Sequence, residues 1–447
     1  MNIYEFQKGL FEKGKQYGFS DMEIFFSSSK STSVSVQNGT VKDYNITESA
    51  GFSFRGIYKE KMGYSYSEKI SEESIDFLLK EALENAEVIE IDDEEELFES
   101  SERYEAINKY SEDIALLPVA KLIESAFAME TTALQADARI KQVLDCTTSK
   151  YVYEVAIMNT KGLNCHSQGS TASAAVHVMA SEGEQTSTGF YYDFTLTDFS
   201  KIDVQRIADT AAAEAVSKLG AESLPSGSYS VIFRYDTATN LLGSLVSSLS
   251  GENVEKGLSK LHDQLNKQIV GSNINIIEDP LMIGAPGAAA FDAEGYPTQT
   301  TSLVEEGKLL SFMHNRKSAK KAGVSSTGNA SKYSYRSTVA VGPHNVYLKP
   351  GESSVDEIIK NTEKGIFIIE LQGIHSGINN VSGDFSVYAS GFLIEDGKLI
   401  KPVNQITVSG NIFDALNNVD EIANDLMIRG NVTAPSVKVR TLAISGQ

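Results

Sequence analysis

The sequence predicts an α+β protein, with an N-terminal α/β region made of two helix–strands–helix units and a C-terminal region of mostly antiparallel sheet or partial barrel with few helices. Three observations carry this prediction. The chain has 447 residues, more than the roughly 250–300 that a single core organises. Its first 220 residues read twice as a helix, several alternating strands and a second helix, a repeat of architecture with little identity behind it. From Tyr229 onward, short apolar runs alternate with Gly, Asn and Asp turns. The expected units are therefore 1–100, 101–224 and 225–447.

In the first unit, Ile3, Phe6, Leu10, Phe11 and Tyr17 recur at helical spacing among Lys and Glu, which reads as an amphipathic helix and not a signal peptide. Met22–Ser27, Thr32–Gln37, Val41–Thr47 and Gly51–Tyr58 are rich in β-branched and aromatic residues and read as strands. Asn38-Gly39 is the clearest hairpin signal, since both residues tolerate positive φ. A helix over Ser74–Ala86 aligns Ile75, Leu78, Leu79, Ala82 and Leu83 on one face. The acidic run Asp92–Glu96 reads as a solvated linker, because adjacent carboxylates rarely converge on one cation.

The second unit opens at Pro118 with a helix to about Ala136. Strands follow near Ile140–Ser149, Tyr151–Asn159, Gly162–Ala180 and Glu184–Phe194, with Thr160-Lys161-Gly162 as a turn of the Asn38-Gly39 class. The helix Asp203–Leu219 closes the unit, and Pro225-Ser226-Gly227 marks the boundary. Beyond it, helices are expected at about Ala238–Ser250, Ser354–Thr362 and Ile412–Val419. Strands are expected at Ser272–Asp279, Ser302–Glu305, Leu309–His314, Asn345–Lys349, Ile366–Leu371, Ser386–Glu395, Lys398–Val408 and Ser436–Ile444.

Composition narrows the function. With 39 basic against 60 acidic residues the net charge is −21, which argues against direct binding to nucleic acid, where Lys and Arg must neutralise phosphates. Cys146 and Cys165 form neither a CxxC nor a disulfide framework and read as reduced thiols. No apolar run reaches the roughly 20 residues that cross a bilayer, so a cytoplasmic location is expected.

No catalytic apparatus is evident. None of His166, His177, His262, His314, His344 and His375 is followed by Glu, so HExxH and HExxxH are absent. GxSxG, GxxxxGK[ST] and GxGxxG are also absent. Cys165 and His166 are neighbours on an expected strand and point to opposite faces, which rules out a dyad between them. What remains is a set of Gly- and Asn-rich loops: Phe291–Gly295, Ser326–Ala330, Gly342–Asn345 and Ser382–Ser386. Singly they are turn chemistry; together they could line a cleft that receives an extended peptide by strand addition.

Those loops, in that order, together with Glu305–Leu309, Ile394–Lys398, Ser409-Gly410-Asn411, Ala434-Pro435-Ser436 and Ile444-Ser445-Gly446, resemble the C-terminal domain of the TldD/PmbA family, once called modulators of DNA gyrase. The resemblance is specific from Tyr229 to the end and architectural over residues 1–220. It implies a metallopeptidase family whose TldD branch carries HExxxH on a helix and a cysteine near the C-terminus. Here the two histidine positions fall at about Leu242 and Ser247, the glutamate at Gly243, and Ile428–Asn431 holds no cysteine. The resemblance therefore implies the PmbA/TldE-type branch, with no catalytic residue, metal ligand or cofactor in this chain. It implies a heterodimer with a TldD-type metallopeptidase subunit, which carries a zinc-type metal and cleaves unfolded peptides inside a shared chamber. Asn329, Asn345 and Asp384 are the candidate substrate-binding residues. Two alternatives stay open. One is a non-enzymatic regulatory or binding protein acting as a homodimer. The other is an independent hydrolase with a dispersed metal site drawn from His262-Asp263 with His314 or His344.

Overall fold

The structure, a computed structural model, describes residues 3–89 and 96–447. Of the acidic run Asp92–Glu96, only Glu96 falls within the described residues. The first unit contains α1 (Ile3–Gln16), β1 (Met22–Gln37), β2 (Thr40–Tyr58), β3 (Lys61–Ser67) and α2 (Glu72–Val88). After a short α3 (Glu112–Ala115), the second contains α4 (Val119–Ala136), β4 (Ile140–Asn159), β5 (Asn164–Glu182), β6 (Gln185–Thr195) and α5 (Val204–Ser217). The units meet edge to edge: β1 pairs antiparallel with β4, giving the order β3-β2-β1-β4-β5-β6. The stretches expected as 1–100 and 101–224 thus share one six-stranded sheet.

Three strand pairs read as separate from sequence are single long strands. Ser28–Ser31, Glu48–Ala50 and Lys150 lack strand propensity, yet Ser29 lies opposite both Ser49 and Tyr153, so two flanking ladders carry the backbone through. The sequence reading also missed β3. Its turn is made by Lys59 and Glu60, at φ 48° and 67°, with no Gly or Asn to signal it. Asn38-Gly39 does form the expected turn, at φ 54° and 69°. Thr160-Lys161-Gly162 is of a different class, because only Gly162 is left-handed there and Asn159 Oδ1 holds the loop through the Lys161 and Leu163 amides.

Period-two alternation places the helices on one face of the sheet. Met22 and Ile24 pack with Phe6, Leu10, Leu78 and Leu79 of α1 and α2, while Val34 and Val36 pack with Leu122, Met129 and Ile207 of α4 and α5. Each unit seats its second helix on an edge-strand glycine. A Cβ on Gly63 would lie 2.0 Å from the Ala82 carbonyl oxygen of α2, and one on Gly189 2.0 Å from that of Ala211 of α5. The other face, through Phe25 and Ile157, packs on Leu163, Cys165 and the C-terminal residues Tyr335 and Phe291.

The C-terminal region begins with β7 (Gly227–Phe233), a strand not expected from sequence, and α6 (Tyr235–Ser248). The expected partial barrel is closed. β7 and the strands Lys364–Gln372, Asp384–Glu395, Lys398–Asn411 and Val437–Ser445 form a ring, because Lys398–Asn411 pairs with both Asp384–Glu395 and Val437–Ser445. Its pairs are antiparallel except β7 with Lys364–Gln372. Parallel neighbours need a long crossover, and more than a hundred residues supply it. Phe233, Leu241, Leu245, Ile366, Ile368 and Val437 fill the core between the ring and α6. A second sheet comprises Ile276–Glu278, Thr301–Glu305, Lys308–Leu309, Val346–Leu348 and Val432–Thr433. The strand expected over Leu309–His314 shrinks to Lys308–Leu309, since the Met313 amide is taken by Leu249 and that of His314 by Thr327 Oγ1. Among the described residues, no helix is long and apolar enough to cross a membrane.

Candidate functional site

The sequence motifs of the C-terminal region are first of all turn and register devices. Glu306-Gly307 and Asp396-Gly397 are two-residue turns with positive φ at both positions. Gly383–Ser386 and Ser409–Asn411 are far apart in sequence but face each other across one ladder, Asp384 opposite Asn411 and Ser386 opposite Ser409. The Asp384 carboxylate accepts hydrogen bonds from Ser382 Oγ at 2.6 Å and Asn411 Nδ2 at 2.8 Å, and both hold its pKa below the ordinary value. It is exposed and ties the end of that hairpin together.

Two of the other loops, Ser326–Ala330 and Gly342–Asn345, converge on the strand Ile276–Glu278, and Phe291–Gly295 is tied to the first of them through Asp292, which accepts from the Ala330 amide. Glu278 is fully buried, and its Oε1 accepts from Asn329 Nδ2 at 3.2 Å and from the His344 amide at 2.9 Å. Asn329 Nδ2 also donates to the Gly342 carbonyl, and Asn345 Nδ2 donates to that of Asp279. At 1% and 2% exposure, Asn329 and Asn345 turn their side chains inward. The structure thus brings these two candidates together under the loops and leaves Asp384 on a separate hairpin. Any direct contact to a peptide from the first two would come through the loop backbone that they hold in place.

Beneath this cluster lies a charged network that the sequence reading missed. Arg55 of β2 donates to Glu23 Oε1 of β1 through Nε at 3.0 Å and Nη2 at 2.6 Å, and its Nη1 stands 3.6 Å from Glu294 Oε1. Asp292 accepts from the amides of Glu294, Tyr296 and Ala330. Burial pushes both carboxyls upward; the neighbouring Glu294 adds to the rise at Asp292, while Arg55 opposes it at Glu294. The network joins the N-terminal sheet to the loops. Its residues are separated by up to 271 positions, so no local pattern marks it.

The histidines stand in separate settings. His262 is exposed beside Asp263, His314 is buried against Gly251 with Nδ1 3.1 Å from Ser318 Oγ, and His344 faces Glu278. Among the described residues, no group of three or more His, Cys, Asp or Glu is placed to hold a metal ion. The dispersed-site alternative therefore lacks a donor set there. Cys165 is buried while His166 projects outward to Glu154 at 2.8 Å, as strand alternation requires. Burial pushes the Cys146 thiol up to about 12 and raises that of Cys165 as well.

On α6, Leu242 packs into the core, while Gly243 and Ser247 lie on the partly exposed side. Close to the first turn of α6 is a cavity of about 430 Å³ between the central unit and the C-terminal region. Tyr191 and Tyr192 of β6, Tyr235 and Asn240 of α6, and Arg429 line it. Arg429 lies within the Ile428–Asn431 stretch that sequence reading marked only for lacking a cysteine.

Three family profiles match in chain order: the PmbA/TldA metallopeptidase domain 1 over residues 22–86, the central domain over 112–219 and the C-terminal domain over 226–446. The metalloprotease PmbA of Escherichia coli O157:H7 is 26% identical over 433 residues, covering 95% of this chain and 92% of that one. A Thermotoga maritima protein described as a modulator of DNA gyrase superposes with a TM-score of 0.92 at 29% identity, over 99% of this chain and 100% of that one. TldE from Thermococcus kodakarensis superposes with a TM-score of 0.89 at 22% identity, over 99% and 100%, and shares the fold.

Proposed function

The chain belongs to the PmbA/TldD metallopeptidase family, and on that premise we propose that it is a PmbA/TldE-type subunit that acts with a TldD-type partner on unfolded peptides. The observation that carries this reading is the content of α6. Where the resemblance places two histidines and a glutamate stand Leu242, Ser247 and Gly243. Leu and Gly side chains offer no donor, and a lone Ser is no site for a hydrolytic zinc, which uses three His, Cys or carboxylate ligands. The residues present do not fit the metal of the family, so bond cleavage is assigned to the partner, where a zinc-type metal is expected.

This chain would then shape the chamber. Closed-ring strands and inward-held Asn329 and Asn345 give rigid loops, and rigid loops present fixed backbone donors and acceptors to an extended peptide at low entropic cost. The acidic surface and the free, buried thiols suit a cytoplasmic protein. The test is metal content and hydrolysis of an unfolded peptide, for this chain alone and after mixing with a TldD-type subunit from the same cell. The expected result is a metal-free, inert chain and an active complex. One metal per protomer with cleavage by the chain alone would overturn the reading. Absence of any complex with TldD-type partners would favour the homodimeric regulatory alternative.

A further inference from the structure

We propose that the cavity beside α6 is a carboxylate-binding site in which Arg429, Tyr191 and Tyr235 hold the free C-terminus of a peptide. This goes beyond the subunit assignment and requires neither metal nor partner.

The argument begins with charge. Four cations, Arg206, Lys218, Arg234 and Arg429, and four carboxylates, Asp193, Glu214, Asp236 and Glu370, stand in or beside the cavity, and three of the cations are paired with carboxylates. Arg234 bonds Asp236 at 2.6 and 2.8 Å and Glu214 at 2.6 Å, while Lys218 reaches Glu214 at 3.7 Å and Glu370 at 2.8 Å. Arg429 is different. Its Nη1 donates to the Tyr192 carbonyl at 3.0 Å and its Nη2 to the Tyr191 hydroxyl at 2.7 Å, and it has no carboxylate partner among the described residues. Those two bonds leave other N–H donors of the guanidinium fork unused. In a chain of net charge −21, an unmatched guanidinium at a cavity wall is a specific positive feature.

The guanidinium is also held in place. It lies 4.7 Å from the Tyr191 ring centroid, 4.8 Å from that of Tyr192 and 5.9 Å from that of Tyr235. Stacking on aromatic faces fixes the plane of the fork and removes the rotamer freedom that a ligand would otherwise have to freeze. Two phenols add donors. Tyr191 Oη accepts from Arg429 and, at 3.2 Å, from Arg206, so its own hydrogen is left to donate elsewhere. The Tyr235 hydroxyl has no partner among the described residues and lines the same cavity. One fork and two hydroxyl donors against apolar ring faces match a carboxylate on an apolar stem. The volume of about 430 Å³ falls within the roughly 300–1,000 Å³ of small-ligand sites.

The test is isothermal titration of the full chain with N-acetyl-Ala-Ala-Phe as the free acid and as the C-terminal amide. The free acid should bind about tenfold more tightly than the amide or better, the difference expected of a charge-assisted bidentate contact. Arg429→Gln should remove that preference. Because Arg429 also bonds β6, a second variant guards against loss of folding: Asn240→Trp changes an exposed residue of the cavity lining that makes no hydrogen bond with Arg429, adds a bulky ring there, and should abolish binding of both peptides. Equal binding of acid and amide, no binding of the acid, or an acid preference that survives Arg429→Gln would each overturn the proposal.

Discussion

Replacing Arg55 by Met tests whether the buried charged network clamps the N-terminal sheet to the C-terminal loops. Arg55 is 8% exposed and sits between Glu23, at 2.6 Å, and Glu294, at 3.6 Å, which are 1% and 5% exposed. Met conserves most of the stem volume and removes the charge together with the hydrogen bonds to Glu23. Deleting one member of a buried ion pair costs about 3–5 kcal/mol, because the remaining charge keeps its desolvation penalty without its compensation. At roughly 2–4 °C per kcal/mol for a unit of this size, the calorimetric transition of the N-terminal layer should fall by about 6–20 °C. The pH dependence has a fixed sign. Burial already holds the Glu294 carboxyl above its ordinary value and Arg55 opposes that rise, so the variant raises it further. A carboxyl raised in the folded state stabilises at low pH and loses that contribution as pH rises through its folded pKa. The deficit should therefore be smaller at about pH 5 than at about pH 8. Glu23→Gln added to Arg55→Met should restore about 1 kcal/mol or more relative to the single variant. A loss below about 1 kcal/mol at pH 8, or a deficit no smaller at pH 5, would refute the reasoning.

The remaining predictions rest on other parts of the molecule. Gly63→Ala and Gly189→Ala each drive a methyl to 2.0 Å from a helix carbonyl, so each should destabilise by about 1–3 kcal/mol in urea titrations, with the two effects adding because they lie in different units. Cys146 and Cys165 should both resist a thiol-specific disulfide reagent in the native protein and react fully once it is unfolded, since burial hides them and raises their pKa. Metal content and peptide hydrolysis, measured alone and with a TldD-type partner, decide the subunit assignment. The acid-versus-amide titration decides the role of Arg429.

The fold was legible wherever periodicity is local. α1, α2, α4 and α5 follow from apolar residues at helical spacing, and Asn38-Gly39 from its tolerance of positive φ. The gaps have physical causes. Ser28–Ser31 and Glu48–Ala50 break the strand pattern locally but are carried by neighbouring ladders, and Lys59-Glu60 turns the chain without a turn-forming residue. At the candidate site, sequence marked Asn329, Asn345 and Asp384 through motif runs, yet said nothing of which way their side chains point.

Sequence alone determined the family, the absence of a histidine pair on α6 and the charge balance, because these depend on residue identity in order. Tertiary structure alone decided that the two N-terminal units share a sheet, that the barrel closes, and that Arg55 meets Glu294 and Arg429 meets Tyr191 and Tyr235. The two arginines meet partners 194 to 239 positions away in the chain. The energy of those pairings depends on burial and distance, and neither is defined until the chain has folded.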